Sequence, residues 1–391
     1  MRATGRTIRH SVGGEEAAAF VPDPLPPQNP PLEVDSRRAK LLARAEQAVA
    51  RLEVAGEMVP SLDWFVYAFV RKEAVVSSQI EGTQATLVDL FEYEALLDHR
   101  QPLEDVREVC NYLDALKYAR GQLTSAKGLP LSMRLLHQVH RRLMRGVRGA
   151  DKQPGEVRRS QNWIGGTRPG NAVFVPPPPE QVPALLGDLE KYLHADDHPL
   201  PPLVRIGLAH VQFETIHPYL DGNGRIGRLL VTLLLEHWKV LSAPLLYLSL
   251  FFKRHQSEYY QRLGAVRANG DWEGWTDFFL EGVATIADEA VAAARDVFAR
   301  VSADRQRLLA ARGASVIAAR LLEQLPTHPV ITIPRVVKLL KTTKPTAGKA
   351  VQLLENIGVL VETSGKARDR TFAYKAYLER LRAGTELEGR P

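Results

Sequence analysis

The chain has 391 residues, of which 45% are hydrophobic and 25% are charged, and its formal net charge is +6. These values are typical of an ordinary soluble globular protein with two or three domains and a substantial core. The single cysteine, Cys110, excludes an intrachain disulfide framework and gives no zinc site. No apolar run is long enough to cross a bilayer, and residues 1–20 lack the continuous apolar core of a secretory signal. We therefore expect a cytoplasmic protein without membrane attachment.

Residues 1–34 are rich in proline and predict an extended segment rather than a domain. Between residues 35 and 300 the apolar positions recur at helical spacing. Convincing strand signals in this stretch lie only around residues 159–167, so we predict a mostly helical domain over 35–300. After a helical region over 35–121, the predicted helices cover 131–146, 180–195, 203–215, 223–238, 256–268 and 274–300.

Residues 301–391 differ in charge and in pattern from the rest of the chain. They hold sixteen Lys and Arg against eight Asp and Glu, a net charge of +8, which leaves residues 1–300 at about −2. The apolar pattern predicts in order a helix at 316–324, a β-branched run at 330–333, helices at 334–340 and 345–356, and strands at 359–363 and 371–374. This order resembles a winged helix-turn-helix domain, so the predicted fold class is mainly α with an α+β domain at the C-terminal end.

A winged helix suggests DNA as a partner of residues 301–391. Lys344, Thr346 and Lys349 would begin the recognition helix, and Lys366, Arg368 and Arg370 would lie in the wing. The alternative is a protein-interaction or dimerisation module whose lysines are merely solvated. Contact with phosphates would not by itself confer sequence preference.

Residues 217–228, His-Pro-Tyr-Leu-Asp-Gly-Asn-Gly-Arg-Ile-Gly-Arg, are the most informative run in the chain. Glycines before a helix free backbone N–H groups to face an anion, and the helix N-terminus adds partial positive charge. Arg225 and Arg228 are three residues apart and can reach the same polyphosphate. Asp221 suits a Mg²⁺ that bridges phosphates, and His217 is a candidate general base. The alternative, a glycine-rich helix cap with solvated arginines, does not require all these residues together.

This run resembles the signature of the Fic (fido) family, with Tyr219 where phenylalanine is usual. The resemblance implies AMP transfer from ATP, with Mg²⁺, to a hydroxyl of a target protein. His217 would deprotonate that hydroxyl, and Asp221 would hold the Mg²⁺. The remaining residues of the signature would bind ATP, namely Gly222, Asn223, Gly224, Arg225, Ile226, Gly227 and Arg228.

Residues 77–82, Ser-Ser-Gln-Ile-Glu-Gly, resemble the family's inhibitory motif. The resemblance implies that Glu81, with Ser77 and Gly82 in the motif, pairs with Arg228 and holds the enzyme inactive. The alternative is a helix that ends at Gly82 with a solvated Glu81.

Two further segments resemble parts of the family. Residues 159–167 look like its flap, a β-hairpin near the active site that positions a target segment as an added strand, here with Ile164, Gly165, Gly166 and Thr167. Tyr259 and Tyr260 resemble the Tyr-Tyr pair that lines the nucleotide-base pocket. Aromatic side chains at helical spacing also occur in ordinary cores, and both readings remain open.

Three functions follow from these patterns. The first is an adenylyltransferase that modifies a Tyr, Thr or Ser hydroxyl of a target protein, or of the chain itself. The second is a DNA-binding regulator in which the Fic domain senses nucleotide. The third is the reverse reaction, AMP removal, with Glu81 orienting the attacking water. A homo-oligomer is also expected.

Overall fold

The computed structural model describes the whole chain except Met1, Gly13, residues 59–60 and 97–102, Asp197, Ala367 and residues 388–391. The fold is mainly helical, as predicted. Within the described part of the chain, no helix combines the length and the apolar character needed to span a membrane.

The elements up to residue 310 begin with a hairpin and continue as helices. The hairpin consists of β1 (Gly5–Val12) and β2 (Glu15–Pro22). The helices are α1 (Ser36–Met58), α2 (Leu62–Ile80), α3 (Leu87–Ala95), α4 (Glu104–Thr124), α5 (Met133–Leu143), α6 (Val182–Leu193), α7 (Pro202–Ile216), α8 (Asn223–His237), α9 (Ser249–Arg254), α10 (Gln256–Asn269) and α11 (Trp272–Ala310).

Up to the last strand, the elements after residue 310 come in the order that the sequence predicts, and a last helix, which was not predicted, follows them. They are α12 (Val316–Gln324), β3 (Val330–Thr332), α13 (Ile333–Leu340), α14 (Lys344–Asn356), β4 (Val361–Glu362), β5 (Thr371–Ala373) and α15 (Lys375–Arg382). The three strands form one antiparallel sheet in the order β3-β5-β4. Side chains of Ser315, Thr332 and Thr343 cap α12, α13 and α14 by accepting a backbone N–H three residues on, which fixes where each helix begins.

The chain forms two compact units, each built from two separate stretches. One unit is Met1–Ala50 with Asn111–Ala287, and the other is Arg51–Cys110 with Asp288–Pro391. The predicted boundary at residue 300 falls inside α11, which continues to Ala310. Apolar and small residues such as Val297 and Val301 keep the helical spacing through this boundary, so the change of charge there coincides with no break in the backbone.

Residues 5–22 differ from the predicted extended segment, because they form an antiparallel hairpin with Gly5 opposite Pro22 and Val12 opposite Glu15. The Ala-rich strand β2 has little intrinsic strand preference. Its pairing is stabilised by packing, since Ala17 and Ala19 are buried against Val175. The backbone N–H of Phe20 also donates to the carbonyl of Val175 at 3.0 Å.

The core of the first unit surrounds α7, in which every residue from Leu203 to Ile216 is buried. Helix α8 packs against α7 and is buried over most of Asn223–Leu235. In the second unit α3 packs on β3, α15 packs on α2 and α3, and α14 packs on α12 and α13. The signature run 217–228 therefore joins two helices of the first unit that are held firmly in place.

Candidate active site

A close approach of α7 and α8 fixes both ends of the signature loop. A Cβ added at Gly227 would lie 2.3 Å from Oε1 of Glu214 and 3.3 Å from Cε1 of His210, both of which belong to α7. Only glycine fits at this crossing without displacing its neighbours. The loop between Ile216 and Asn223 is consequently short and anchored at both helices.

His217 is the residue after the end of α7 and has a left-handed backbone, with φ 50° and ψ 61°. Its backbone N–H donates to the carbonyl of Phe213 at 2.9 Å and so completes the last turn of the helix. A residue with a Cβ is uncommon in this conformation and is maintained there by its surroundings. The backbone conformation of this partly buried residue therefore sets the direction in which its imidazole leaves the helix.

The loop is closed by a reciprocal pair of hydrogen bonds between Asn223 and Tyr219. The Tyr219 N–H donates to Oδ1 of Asn223, and Nδ2 of Asn223 donates to the Tyr219 carbonyl, each at 2.8 Å. Gly222 follows with φ 78°, and a Cβ there would lie 2.9 Å from Sδ of Met144. The Asn223 side chain therefore shapes the loop, and its predicted contact with phosphate stays a prediction.

The first turn of α8 presents the charges that the sequence predicts for an anion site. Arg225 and Arg228 are 1% and 2% exposed, and the Arg225 guanidinium lies 3.6 Å from Oδ1 of Asp221. The first N–H groups of any helix have no carbonyl partner within it, which leaves those around Gly224 to point outward. The side chain of Ile226 is fully buried, so only its backbone could take part in binding.

Asp221 is the one predicted Mg²⁺ ligand, and its carboxylate is 38% exposed. Oδ1 accepts the backbone N–H of Gly222 at 2.5 Å. Among the residues that the structure describes, no three His, Cys, Asp or Glu side chains are grouped as a metal site. A single carboxylate fits Mg²⁺ when substrate phosphates complete the coordination, which is the usual manner in nucleotide enzymes.

Two histidines of α5 hold the loop and were not foreseen from the sequence. Nδ1 of His140 accepts the Gly155 N–H at 2.8 Å, so Nε2 carries the proton and donates to the Asp221 carbonyl at 2.9 Å. Burial, with the nearby Arg225 cation, lowers the pKa of His140 to about 4, although its bond to Asp221 opposes this. The ring stacks on Tyr219 with centroids 3.8 Å apart. A neutral His140 is therefore part of the folded site at neutral pH.

The second histidine, His137, explains the one departure from the family signature. Its Nδ1 lies 2.9 Å from the hydroxyl of Tyr219, a hydrogen bond that phenylalanine could not make. The Tyr219 side chain is 1% exposed and burial raises the pKa of its hydroxyl, which therefore stays protonated. The spacing of His137 and His140 on one helix face was the available sequence signal, but their partners lie in a distant loop.

The predicted flap turns back on itself, but it contains a single bridge between Ile164 and Phe174 in place of regular strands. Gly165 and Gly166 both have positive φ, 66° and 72°. The Thr167 N–H donates to the Asn171 side chain at 3.0 Å, and this bond orders the exposed tip. At the base of the flap, Nδ2 of Asn162 donates to the Tyr219 carbonyl at 3.1 Å. The flap is thus attached directly to the signature loop.

The two predicted base-pocket tyrosines have different environments. Tyr259 is 1% exposed, and its hydroxyl is 2.8 Å from Nε2 of His210. Its ring packs among Phe252 and Trp275. Tyr260 is 49% exposed. Tyr259 is therefore packed in the core of this structure, and the nucleotide contacts predicted for Tyr259 and Tyr260 remain predictions.

The inhibitory motif lies at the end of α2 in the second unit. The helix ends at Ile80, Glu81 is its half-buried C-cap, and Gly82 follows with φ 94°. Ser77 is fully buried. The motif thus also forms a glycine-terminated helix end. Glu81 and Arg228 belong to different compact units, and their pairing stays a proposal.

Comparison with known proteins agrees with this geometry. Residues 39–121 match the family described as Fic/DOC family N-terminal, and residues 130–235 match Fic/DOC family. The protein adenylyltransferase Fic of Drosophila grimshawi is 31% identical over 160 residues, which are 40% of this chain and 31% of that protein. That of Culex quinquefasciatus is 28% identical over 206 residues, 52% of this chain and 38% of that protein. The chain therefore spans about a third of the length of these curated relatives.

Two solved structures show the same fold. A Fic family protein from Desulfovibrio desulfuricans has a TM-score of 0.55 at 23% identity and covers 88% of this chain and 97% of its own. A Fic domain containing signaling protein from Bacteroides thetaiotaomicron has a TM-score of 0.51 at 19% identity and covers 64% of this chain and 95% of its own. At these identities the likeness concerns the fold alone. The part of the chain that matches the Fic/DOC family is therefore residues 39–121 and 130–235, and it includes the signature loop between α7 and α8.

Proposed function

We propose that this chain transfers AMP from ATP to a Tyr, Thr or Ser hydroxyl of a protein. The observation that carries the proposal is the short loop 217–222, which begins with a histidine and leads into the N-terminus of a helix bearing Arg225 and Arg228. Curated relatives that share this region are named protein adenylyltransferase Fic.

In the proposed reaction the acceptor oxygen attacks the α-phosphorus of ATP, and pyrophosphate leaves as the bond to the bridging oxygen breaks. His217 takes the proton of the acceptor hydroxyl, which does not ionise by itself at neutral pH. The N–H groups of the first turn of α8, with Arg225 and Arg228, would bind the phosphates. Asp221 would hold a Mg²⁺, whose contribution when bound is to neutralise phosphate charge.

Autoinhibition is the second part of the proposal. A Glu81 carboxylate paired with Arg228 would occupy a guanidinium that the outer phosphates of ATP need. ATP could then bind with its α-phosphorus out of line, and such misalignment lowers the rate steeply. We expect Glu81→Gly to raise labelling by at least about tenfold, in line with the sensitivity of rate to alignment. Adding Arg228→Ala should remove the gain.

The test incubates the full-length protein and a lysate with Mg²⁺ and ATP labelled at the α-phosphate. The Glu81→Gly variant should label itself or a target, and Glu81→Gly with His217→Ala should lose roughly 10²–10⁴-fold of that rate, the usual contribution of a general base. ATP affinity, measured by calorimetry, should change little between the two. Equal labelling by both variants would show that His217 is not the base. If neither the parent nor Glu81→Gly labels any protein, adenylylation is rejected.

A control variant separates the effect of the Glu81 charge from other effects. Glu81→Gln keeps the size of the side chain and should reproduce most of the activation, because the proposal depends on the negative charge. If only Glu81→Gly is active, the change in backbone freedom at the end of α2 is the cause instead. Loss of an AMP-removing activity in Glu81→Gly would favour the reverse reaction.

The β4–β5 turn supports DNA binding as a second candidate function. Glu362 accepts the N–H groups of Ser364 at 2.8 Å and Gly365 at 3.1 Å, which orders this turn. Lys366, Arg368 and Arg370 follow it and are exposed. Exposed Lys344 and Lys349 at the start of α14 add to this positive surface.

The salt dependence of duplex-DNA binding tests this second function. Each phosphate that the full-length protein neutralises should contribute about −0.9 to the log–log slope. Changing Lys366, Arg368 and Arg370 to Ala should flatten the slope. A matched variant loses the same charge elsewhere in the second unit, through changes of Arg295, Arg300 and Arg305 to Ala, and should keep the salt dependence of the parent. Equal slopes for the two variants, or no retardation at low salt, would favour the protein-interaction module.

A further inference from the structure

Arg158 precedes the flap and is buried in the first unit with 1% of its surface exposed. Its guanidinium donates to the carbonyl of His217 at 2.9 Å and to that of Pro177 at 2.5 Å. Longer bonds of 3.5 Å reach the carbonyls of Ile216 and Ser160. The bonds of this buried side chain therefore all go to backbone oxygens of the end of α7, of the signature loop and of the two ends of the flap.

The backbone next to Arg158 strengthens the same connection. Its own N–H donates to the Pro218 carbonyl at 2.9 Å. Arg158 therefore contacts the carbonyls of three successive residues, Ile216, His217 and Pro218, and the first two belong to the peptide groups on either side of the left-handed residue. A cation that donates to carbonyl oxygens makes stronger and more directional bonds than a neutral donor.

The left-handed conformation of His217 needs such support. For a residue with a Cβ this region costs free energy of the order of 1–3 kcal/mol and persists where surrounding contacts over-determine it. Rotation of the His217 backbone out of this region would turn its carbonyl away from the Arg158 guanidinium and redirect the imidazole. Burial lowers the pKa of Arg158 to about 10, so the side chain remains a cation at neutral pH.

We propose that Arg158 is the positioning residue of His217, which it holds in the left-handed conformation while tying that residue to the flap. The expected effect of Arg158 on the reaction rate rests on the proposed function, because that effect requires His217 to act as the base. Its structural consequence, the orientation of the imidazole, does not. Arg158 touches no phosphate-binding residue of α8 in the hydrogen bonds described above, so ATP affinity should be separable from rate.

Arg158→Lys is the most informative variant. An ammonium group has three donors on one nitrogen and cannot reach carbonyls that lie at different edges of the planar guanidinium. The matched control is Arg205→Lys. Arg205 is also buried and also donates to backbone carbonyls, those of Tyr192 at 3.3 Å and Ala195 at 3.0 Å, but it has no bond to the signature loop.

The first measurement does not depend on activity. The full-length protein is labelled with ¹³Cε1-histidine, and the His217 resonance is assigned by its loss in His217→Ala. Arg158→Lys should change the chemical shift and the linewidth of the His217 resonance. Arg205→Lys should leave both unchanged. An unchanged His217 resonance in Arg158→Lys overturns the proposal, whether or not the protein is an adenylyltransferase.

The second measurement uses the Glu81→Gly background with α-labelled ATP. Adding Arg158→Lys should lower the labelling rate by at least about tenfold, because misplacement of a catalytic group by about 1 Å can cost roughly a hundredfold. ATP affinity should stay within about threefold, as expected when the phosphate contacts are intact. A parallel loss of ATP affinity, or an equal loss of rate in Arg205→Lys, would assign Arg158 a general structural role and overturn the proposal.

Chemical rescue completes the test. Arg158→Ala leaves a space the size of a guanidinium, and added guanidinium ion at millimolar concentration should restore part of the labelling rate, whereas the same ion should not rescue Arg205→Ala. If Arg158→Ala does not fold, the Arg158→Lys resonance and rate decide the question alone. If Glu81→Gly labels no protein, the proposed function fails while the resonance measurement still judges the role of Arg158.

Discussion

Replacement of glycine by alanine can be compared at two helical positions of the first unit, Gly227 and Gly264. Both lie inside helices, α8 and α10, and alanine has the higher helix propensity by roughly 0.5–1 kcal/mol. At Gly264 an added Cβ meets no atom within 4 Å. We therefore expect Gly264→Ala to raise the free energy of unfolding by up to about 1 kcal/mol.

Gly227→Ala should act in the opposite direction. The added Cβ would lie 2.3 Å from Oε1 of Glu214, which is only 7% exposed, and 3.3 Å from Cε1 of His210, which is fully buried. Insertion of a methyl group into a filled core typically costs about 1–3 kcal/mol. After subtraction of the helix-propensity gain, the net loss should be up to about 2 kcal/mol, and the two variants should differ by roughly 1–3 kcal/mol.

Denaturant unfolding of the parent and of the two variants measures this difference. Because the crossing at Gly227 sets the spacing of α7 and α8, the labelling rate of Gly227→Ala should fall as well, while that of Gly264→Ala should not. The reasoning is refuted if Gly227→Ala stabilises the protein as much as Gly264→Ala does. In that case the buried carboxylate of Glu214 can move aside at little cost.

Two other predictions concern the histidines of α5. The pKa of His140 is about 4 in the folded protein and near 6.5 when unfolded, so its contribution to stability is complete above pH 6.5 and is lost as the pH falls towards 4. The variant His140→Gln should therefore lose less stability than the parent between those pH values, the difference being at most about 3 kcal/mol. Unfolding curves of parent and variant at pH 7 and pH 4.5 measure this difference. Tyr219→Phe removes the hydroxyl that His137 contacts and should cost about 1 kcal/mol at pH 7 in the same assay; no change would mean that the hydrogen bond adds no net stability.

The sequence predicts most helices well because their signals are local. Helix α12 begins and ends at the predicted residues, and α14 begins one residue before the prediction, since Thr343 caps it and a proline follows within its first turn. The β1–β2 hairpin was missed. Its Ala-rich strand favours helix by propensity, and its partners near Val175 are about 155 residues away. Gly14, in the short connection between two eight-residue runs, was the available sign of a turn.

The candidate site was predictable in composition but not in geometry. The signature names its charged residues and glycines, and the helix N-terminus after Gly222 follows from them. The left-handed backbone of His217 and the roles of His140 and Arg158 could not be read from the chain. Each of these depends on backbone carbonyl groups that tertiary structure brings together. Every residue has such a group whatever its side chain, so the sequence does not show which ones will meet.

The hairpin at the N-terminal end gives the flap two unequal sides. The segment at Phe174 and Val175 bonds to Ile164 on one side and to β2 on the other. A salt bridge of 2.9 Å between Glu15 of β2 and Arg168 also joins the hairpin to the flap. A peptide can extend a sheet only along a strand whose hydrogen-bonding groups are not already covered. The N–H and carbonyl of Ile164 already bond to residues 173–174, so a guest strand at this flap would have to use the neighbouring backbone groups on the opposite edge of the Ile164 stretch. The register of the guest along that edge would decide which of its side chains face inward, because a shift by one residue exchanges its two faces.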